Sequence, residues 1–136
     1  MELSFLLIAD YANVTENGKL NIMGTFGNIF TQGFPVVHSE MYVVAQLAAP
    51  AGEFGRHFRL EIKLVDEDGQ EIACFGIDQV VPSPPPGLGR RVEMNQILRM
   101  NNIVFSKPGV YEFRVLVDND TKGGRAFEVA QSQPPR

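Results

Sequence analysis

The chain has no tryptophan, one cysteine and two histidines in 136 residues. A lone Cys74 excludes an internal disulfide and with it the usual pointer to an oxidising compartment, so a cytoplasmic location is expected. His38, His57 and Cys74 stand too far apart for a zinc site, which needs its soft ligands in close pairs. Basic excess is also missing. Twelve Lys and Arg against 16 Asp and Glu leave a net charge of -4, which argues against a partner with a phosphate backbone, so no nucleic acid is expected. No stretch approaches the ~20 apolar residues of a membrane helix. The apolar run after Glu2 is short, lacks a basic segment and leads into Asp10 and Asn13, so it is expected as a buried strand, not a leader.

What is present is alternation. Lys107 to Asp118 opens with the turn pair Pro108-Gly109, then sets Tyr111, Phe113, Val115 and Val117 on one face and Glu112 and Arg114 on the other. Period two over that length predicts a strand with one face in a core and one in water. Arg56 to Val65 repeats the pattern, with Phe58, Leu60, Ile62 and Leu64 inward. Asn17-Gly18 and Asp66-Glu-Asp-Gly69 predict hairpin turns joining Leu3–Tyr11 to Lys19–Phe26 and Arg56–Val65 to Gln70–Val81. Gly24 and Gly27 mark a bulge or close backbone approach. Val36 to Ala48 is apolar on both faces, as suits a central strand, and Asn28 to Pro35 is expected as a loop.

Pro82 to Gly87 forms a stiff connector that cannot enter a sheet interior. Arg91 to Phe105 fits a strand with a bulge near Asn101-Asn102, although residues 93–100 also carry a short helical face. Arg125 to Val129 is a last strand, and residues 131–136 are expected as a flexible tail. The expected fold is all-β: one domain over residues 1–130, an antiparallel two-sheet sandwich of immunoglobulin-like or related Greek-key type with about eight strands and no substantial helix.

With these segments placed, nearly the full chain resembles a bacterial family of small all-β domains of uncharacterised function. The resemblance rests on Ala9-Asp10-Tyr11, Gly18-Lys-Leu-Asn-Ile-Met-Gly24, Phe34-Pro35, Arg56-His-Phe-Arg-Leu60, Val65-Asp-Glu-Asp-Gly69, Pro85-Pro-Gly87, Pro108-Gly-Val-Tyr111 and Phe127-Glu-Val129. Phe26 stands where that pattern would carry Trp. The resemblance implies a sandwich and no activity, because its motifs are turns and core plugs.

Catalytic groups do not converge in the sequence. Asp66-x-Asp68-Gly69 is only part of a calcium loop. If successive connections alternate between the two ends of the sheets, Asn17, Gly52, the proline connector and Asp118 share one pole. Phe30, Asp66 and Pro108 then share the other, so the two acidic turns cannot hold one ion. Cys74, in mid-strand, is expected as a buried inert thiol. There is no nucleophile elbow and no phosphate loop, so no cofactor is expected.

Two stretches are candidate partner surfaces. Gly24 to Pro35 carries Phe26, Phe30 and Phe34; exposed it is adhesive, buried it plugs one end of the fold. The proline connector ends at Arg90 and Arg91 and either meets a partner or spans the sheets. The favoured function is therefore a non-enzymatic binding or assembly module, with a protein partner or a homodimer. The alternative is a small-molecule or hydrolytic site at the pole of His57, Arg90, Arg91 and Asp118. Leu3 to Ala9, apolar on both faces, must be covered either by its own domain or by a second chain.

Overall fold

A computed structural model describes residues 1–87 and 89–132. These form nine strands: β1 (Glu2–Val14), β2 (Leu20–Thr25), β3 (Asn28–Thr31), β4 (Val36–Pro50), β5 (His57–Val65), β6 (Glu71–Val80), β7 (Arg91–Phe105), β8 (Gly109–Val117) and β9 (Asp120–Gln131). Among the described residues the one helical piece is a single 3-10 turn at Ala51–Glu53. One sheet has the order β2-β1-β4-β7, the other β3-β9-β8-β5-β6.

Alternation fixes which side chains enter the core. On β8, Tyr111, Phe113, Val115 and Val117 are buried, and Phe58, Leu60, Ile62 and Leu64 on β5 meet them from the neighbouring strand. Ile8, Met41, Val43 and Leu47 close the same cluster from the other sheet. Each of these larger side chains contributes roughly 1.5–3 kcal/mol on burial. Phe127 of β9 stacks on Phe113 at 5.3 Å and meets Phe105 edge-on at 6.0 Å, which ties β7, β8 and β9 together. The Tyr111 hydroxyl, at the start of β8, donates to the Lys107 carbonyl at 2.6 Å.

The hairpin turns form as their residues require. Asp66 Oδ1 accepts from the N–H groups of Asp68 and Gln70, at 2.9 and 2.8 Å, and Gly69 takes φ +79°. That carboxylate closes a turn, as the hairpin reading required. Gly24 has φ +71°, and a Cβ there would lie 2.6 Å from Asp10 Oδ2, so the expected close approach is real.

Four expectations need correction. The stretch 28–35 is not all loop: Asn28–Thr31 is β3, which pairs in parallel with β9, so the strands number nine and one pair is not antiparallel. Ile29 is buried on this strand while Phe30 points out, a short alternation that the flanking glycines obscure. This extra strand also moves the Asn17 turn to the other pole. Met1 and Glu2 lie beside Ala48 and Glu53, so β1 runs away from the Gly52 end and Asn17 joins the pole of Asp66 and Pro108. Asp118 still lies at the pole opposite Asp66, since β5 and β8 pair Leu60 with Val117 and Val65 with Glu112.

On β7 the register with β4 is the same on both sides of Asn102, whose φ is +55°, so the strand has a local kink in place of a register-shifting bulge. Finally, Gln131 closes β9 and Ser132 hydrogen-bonds Thr31, so order extends into the expected tail. The remaining tail positions lie outside the described residues.

Leu3 to Ala9 is covered from within the chain. Leu6, Ile8 and Ala9 are buried, Leu3 packs against the core, and β1 stands between β2 and β4 in the strand order. Phe5 packs on the outer face over Ala12, Tyr42 and Val44.

Candidate functional site

At the connector pole, charged groups satisfy one another. Arg56 bridges Glu53 at 3.1 Å and Asp118 at 2.8 Å. The Asp118 carboxylate also accepts from the Arg59 N–H at 2.9 Å. That N–H first, then Arg56, holds the Asp118 carboxyl below its usual range. The terminal ammonium and Arg56 do the same to Glu53. Arg91 reaches Glu2 at 3.2 Å. Arg90 lies with Phe54 and Pro84–Pro86 along a shallow surface trough. His57 is exposed opposite Val80 and lines neither of the depressions described at this pole. Neither depression described at this pole gathers the four residues of the alternative site: one is lined by Arg91, the other by Arg90, and neither by His57 or Asp118. Asp118 faces Arg56, and Arg91 faces Glu2.

The phenylalanine stretch divides. Phe26 and Phe34 are half-buried against the core, whereas Phe30 is 68% exposed. Phe26 and Phe30 border a shallow depression with Asp10 and His38, and Phe34 is not part of it.

Cys74 overturns its expectation. It is exposed on the outer edge of the five-stranded sheet, with its thiol 3.5 Å from a Glu61 carboxylate oxygen. Partial desolvation first, then the Glu61 carboxylate, pushes its pKa up, so it remains a weak nucleophile although it is exposed. Among the described residues no group of three His, Cys, Asp or Glu is placed to hold a metal ion. No helix among them is long and apolar enough to cross a membrane.

The site that sequence reasoning missed is the open side of the fold, where β6 and β7 end their sheets. The other ends are short, with six residues in β2 and four in β3, while β6 has 10 and β7 has 15. Neither β6 nor β7 contains the proline or lysine that commonly guards an edge. β6 pairs Phe75 with Ile62 and Ile77 with Leu60, and opposed residues share a face. Phe75 and Ile77 therefore point to the core side of their sheet, yet they are 37% and 54% exposed.

Between the two edges runs an apolar groove of about 480 Å³ walled by Leu60, Ile62, Phe75, Ile77 and Leu98. Gln79 of β6 and Gln96 of β7 bridge it with a reciprocal pair of hydrogen bonds at 2.7 and 2.8 Å. In the sequence β6 reads as an ordinary return strand. Its run Phe75-Gly-Ile77, bounded by Cys74 and Asp78 without a basic guard, was the available signal.

The chemistry of this side is that of an open sheet edge. It offers unpaired backbone N–H and C=O groups, exposed apolar side chains and a bridging amide pair. Such an edge takes an added strand, with main-chain hydrogen bonds supplying affinity and alternate side chains supplying fit.

Solved structures give a weak likeness. A glycosyl hydrolase family 2 member from Bacteroides cellulosilyticus matches at 12% identity and a TM-score of 0.41, over 70% of this chain and 13% of its own. The Pseudomonas fluorescens alkylpurine DNA glycosylase AlkC, bound to DNA containing an abasic site analog, matches at 12% identity and a TM-score of 0.42, over 92% of this chain and 30% of its own. The chain thus spans less than a third of either. No curated protein matches it. A family model does, over residues 4–130: the chain belongs to the Family of unknown function (DUF6941).

Proposed function

We propose that this protein is a non-enzymatic binding or assembly module, built on a Greek-key sandwich of immunoglobulin-like kind and working through the β6–β7 side. The Tyr111 hydroxyl bond back to Lys107 supports the fold type, because a tyrosine at the corner leading into a late strand is a mark of such sandwiches. The observation that carries the functional reading is the exposure of Phe75 and Ile77 on the core-facing side of β6. Apolar side chains that a fold leaves uncovered beside an unpaired strand edge are completed by a protein partner. Binding is preferred over catalysis because Arg56 pairs with Glu53 and Asp118, Arg91 pairs with Glu2, and the depression that Glu2 and Arg91 line includes none of Arg56, Glu53 and Asp118.

The test compares immobilised wild type with the Phe75→Asp/Ile77→Asp variant in an extract of the source organism. A captured protein, identified and purified separately, is expected to bind the wild type and not the variant. Equal binding to both ends the reading.

A further inference from the structure

We infer that the partner of β6 is β6 of a second copy of this chain, paired antiparallel about a two-fold axis at Gly76. This rests on the reading of the β6–β7 side as a binding surface and names its occupant. A two-fold axis perpendicular to the sheet keeps both core-facing sides on one side of the joint sheet. Each residue must then oppose one from the same face of its own strand.

Centred on Gly76, the register sets Phe75 against Ile77 of the second copy, and Ile77 against its Phe75. It also sets Ile72 against Val80, and all four are among the exposed large apolar residues. Cys74 then opposes Asp78, and the acids Glu71 and Asp78 never face each other or themselves. Moving the centre to Phe75 sets Ile72 against Asp78. Moving it to Ile77 sets Phe75 against Gln79 and Gly76 against Asp78. The Gly76 centre alone among these three pairs all four exposed apolar residues with one another, while Ala73 opposes Gln79.

The axis itself is prepared. The Arg59 guanidinium lies over Gly76, where a Cβ would come within 2.5 Å of Nη2, and its Nη1 is held by Asp78 at 3.1 Å. Two copies bring two neutralised Arg59–Asp78 pairs to the axis, so the joint carries no net charge there. Lys63 similarly neutralises Glu71 at 3.4 Å near the strand end. The pairing turns the five-stranded sheets of two chains into one and sets the exposed Phe75 and Ile77 of both against one another.

The register makes a covalent prediction with the chain's own cysteine. Opposed residues on antiparallel strands lie at Cα separations of about 4.5–5.5 Å, within the range of a disulfide. Positions 74 and 78 of one chain lie about 13 Å apart along the strand and cannot bridge. Purified Asp78→Cys protein under mild oxidation is therefore expected to run as a covalent dimer on a non-reducing gel. Asp78→Cys/Cys74→Ser is expected to stay monomeric on the same gel, because two 78 positions do not oppose each other.

Sedimentation of the wild type is expected to show a dimer. Ile77→Asp, an exposed position twice used in the interface, should raise its dissociation constant roughly a hundredfold. Circular dichroism checks that this variant remains folded, and Val80→Asp provides a second disruption if it does not. A wild-type monomer, a dimer indifferent to both substitutions, or a cross-link that persists without Cys74 overturns the proposal. If the wild type is monomeric but an identified partner still binds it and not Phe75→Asp/Ile77→Asp, the occupant is wrong and the binding side stands. If neither association occurs, both fall.

Discussion

Asp118 turns the chain between β8 and β9 at φ +49°, a left-handed conformation that Asp and Asn tolerate better than most residues. Its carboxylate accepts from the Arg59 N–H and from Arg56, and together they depress its pKa in the fold. A carboxyl whose folded pKa lies below its unfolded value, about 3.9, stabilises the fold fully above that value. The contribution is lost as pH falls through the folded pKa. Asp118→Asn keeps the backbone preference and removes the charge. Its urea midpoint is expected to lie below that of wild type at pH 7, and the gap should close as pH drops below about 4. A gap that is constant across that range would mean the carboxylate does not supply it. The ion pair is half exposed, so solvent and salt weaken it.

At the scale of elements, β3 is four residues long and decides more than its length suggests. It sits beside β9 in parallel and hands the chain to the other sheet, which is why the Asn17 turn lies at the pole opposite to that expected from simple alternation. Its anchorage is one side chain. Ile29 is 7% exposed and joins the main core, whereas Phe30 points to solvent. Ile29→Ala is expected to cost about 2–5 kcal/mol through lost burial and the cavity left behind. Phe30→Ala should stay within about 0.5 kcal/mol of wild type, as surface changes do. Chemical denaturation of the two variants separates them, and equal losses would place Phe30 in the core and refute the facing of β3.

For the whole molecule the question is where a second chain could attach. β1 is apolar on both faces, but its own domain covers it, and Leu6 contributes to the shared core. Leu6→Glu places a charge there at a cost of several kcal/mol, comparable to the 5–15 kcal/mol stability of a typical domain. It is expected to be unfolded by circular dichroism. Leu7→Glu, on the half-buried outer face opposite Val44, should remain folded and keep the association state of the wild type. A folded Leu7→Glu monomer beside a wild-type dimer would move the interface from β6 to β1.

What the sequence determined by itself is the local layer of this structure. Alternation named the inward faces of β5 and β8, because a side chain's face on a strand follows from position alone. Asn17-Gly18 and Asp66–Gly69 marked turns because few residues satisfy the required backbone angles. The tertiary structure decided what depends on neighbours. Cys74 and the apolar positions of β6 have strand-like spacing whether their strand is central or terminal, and only the sheet order shows that it is terminal. Ile29 and Phe30 are equally apolar as letters, and the parallel contact with β9 sends one inward and the other out. The pairing of Arg56 with Asp118, 62 positions apart, likewise exists only once β5 and β8 lie side by side. Burial is a property of what covers a residue, and cover comes from segments that the local pattern does not specify.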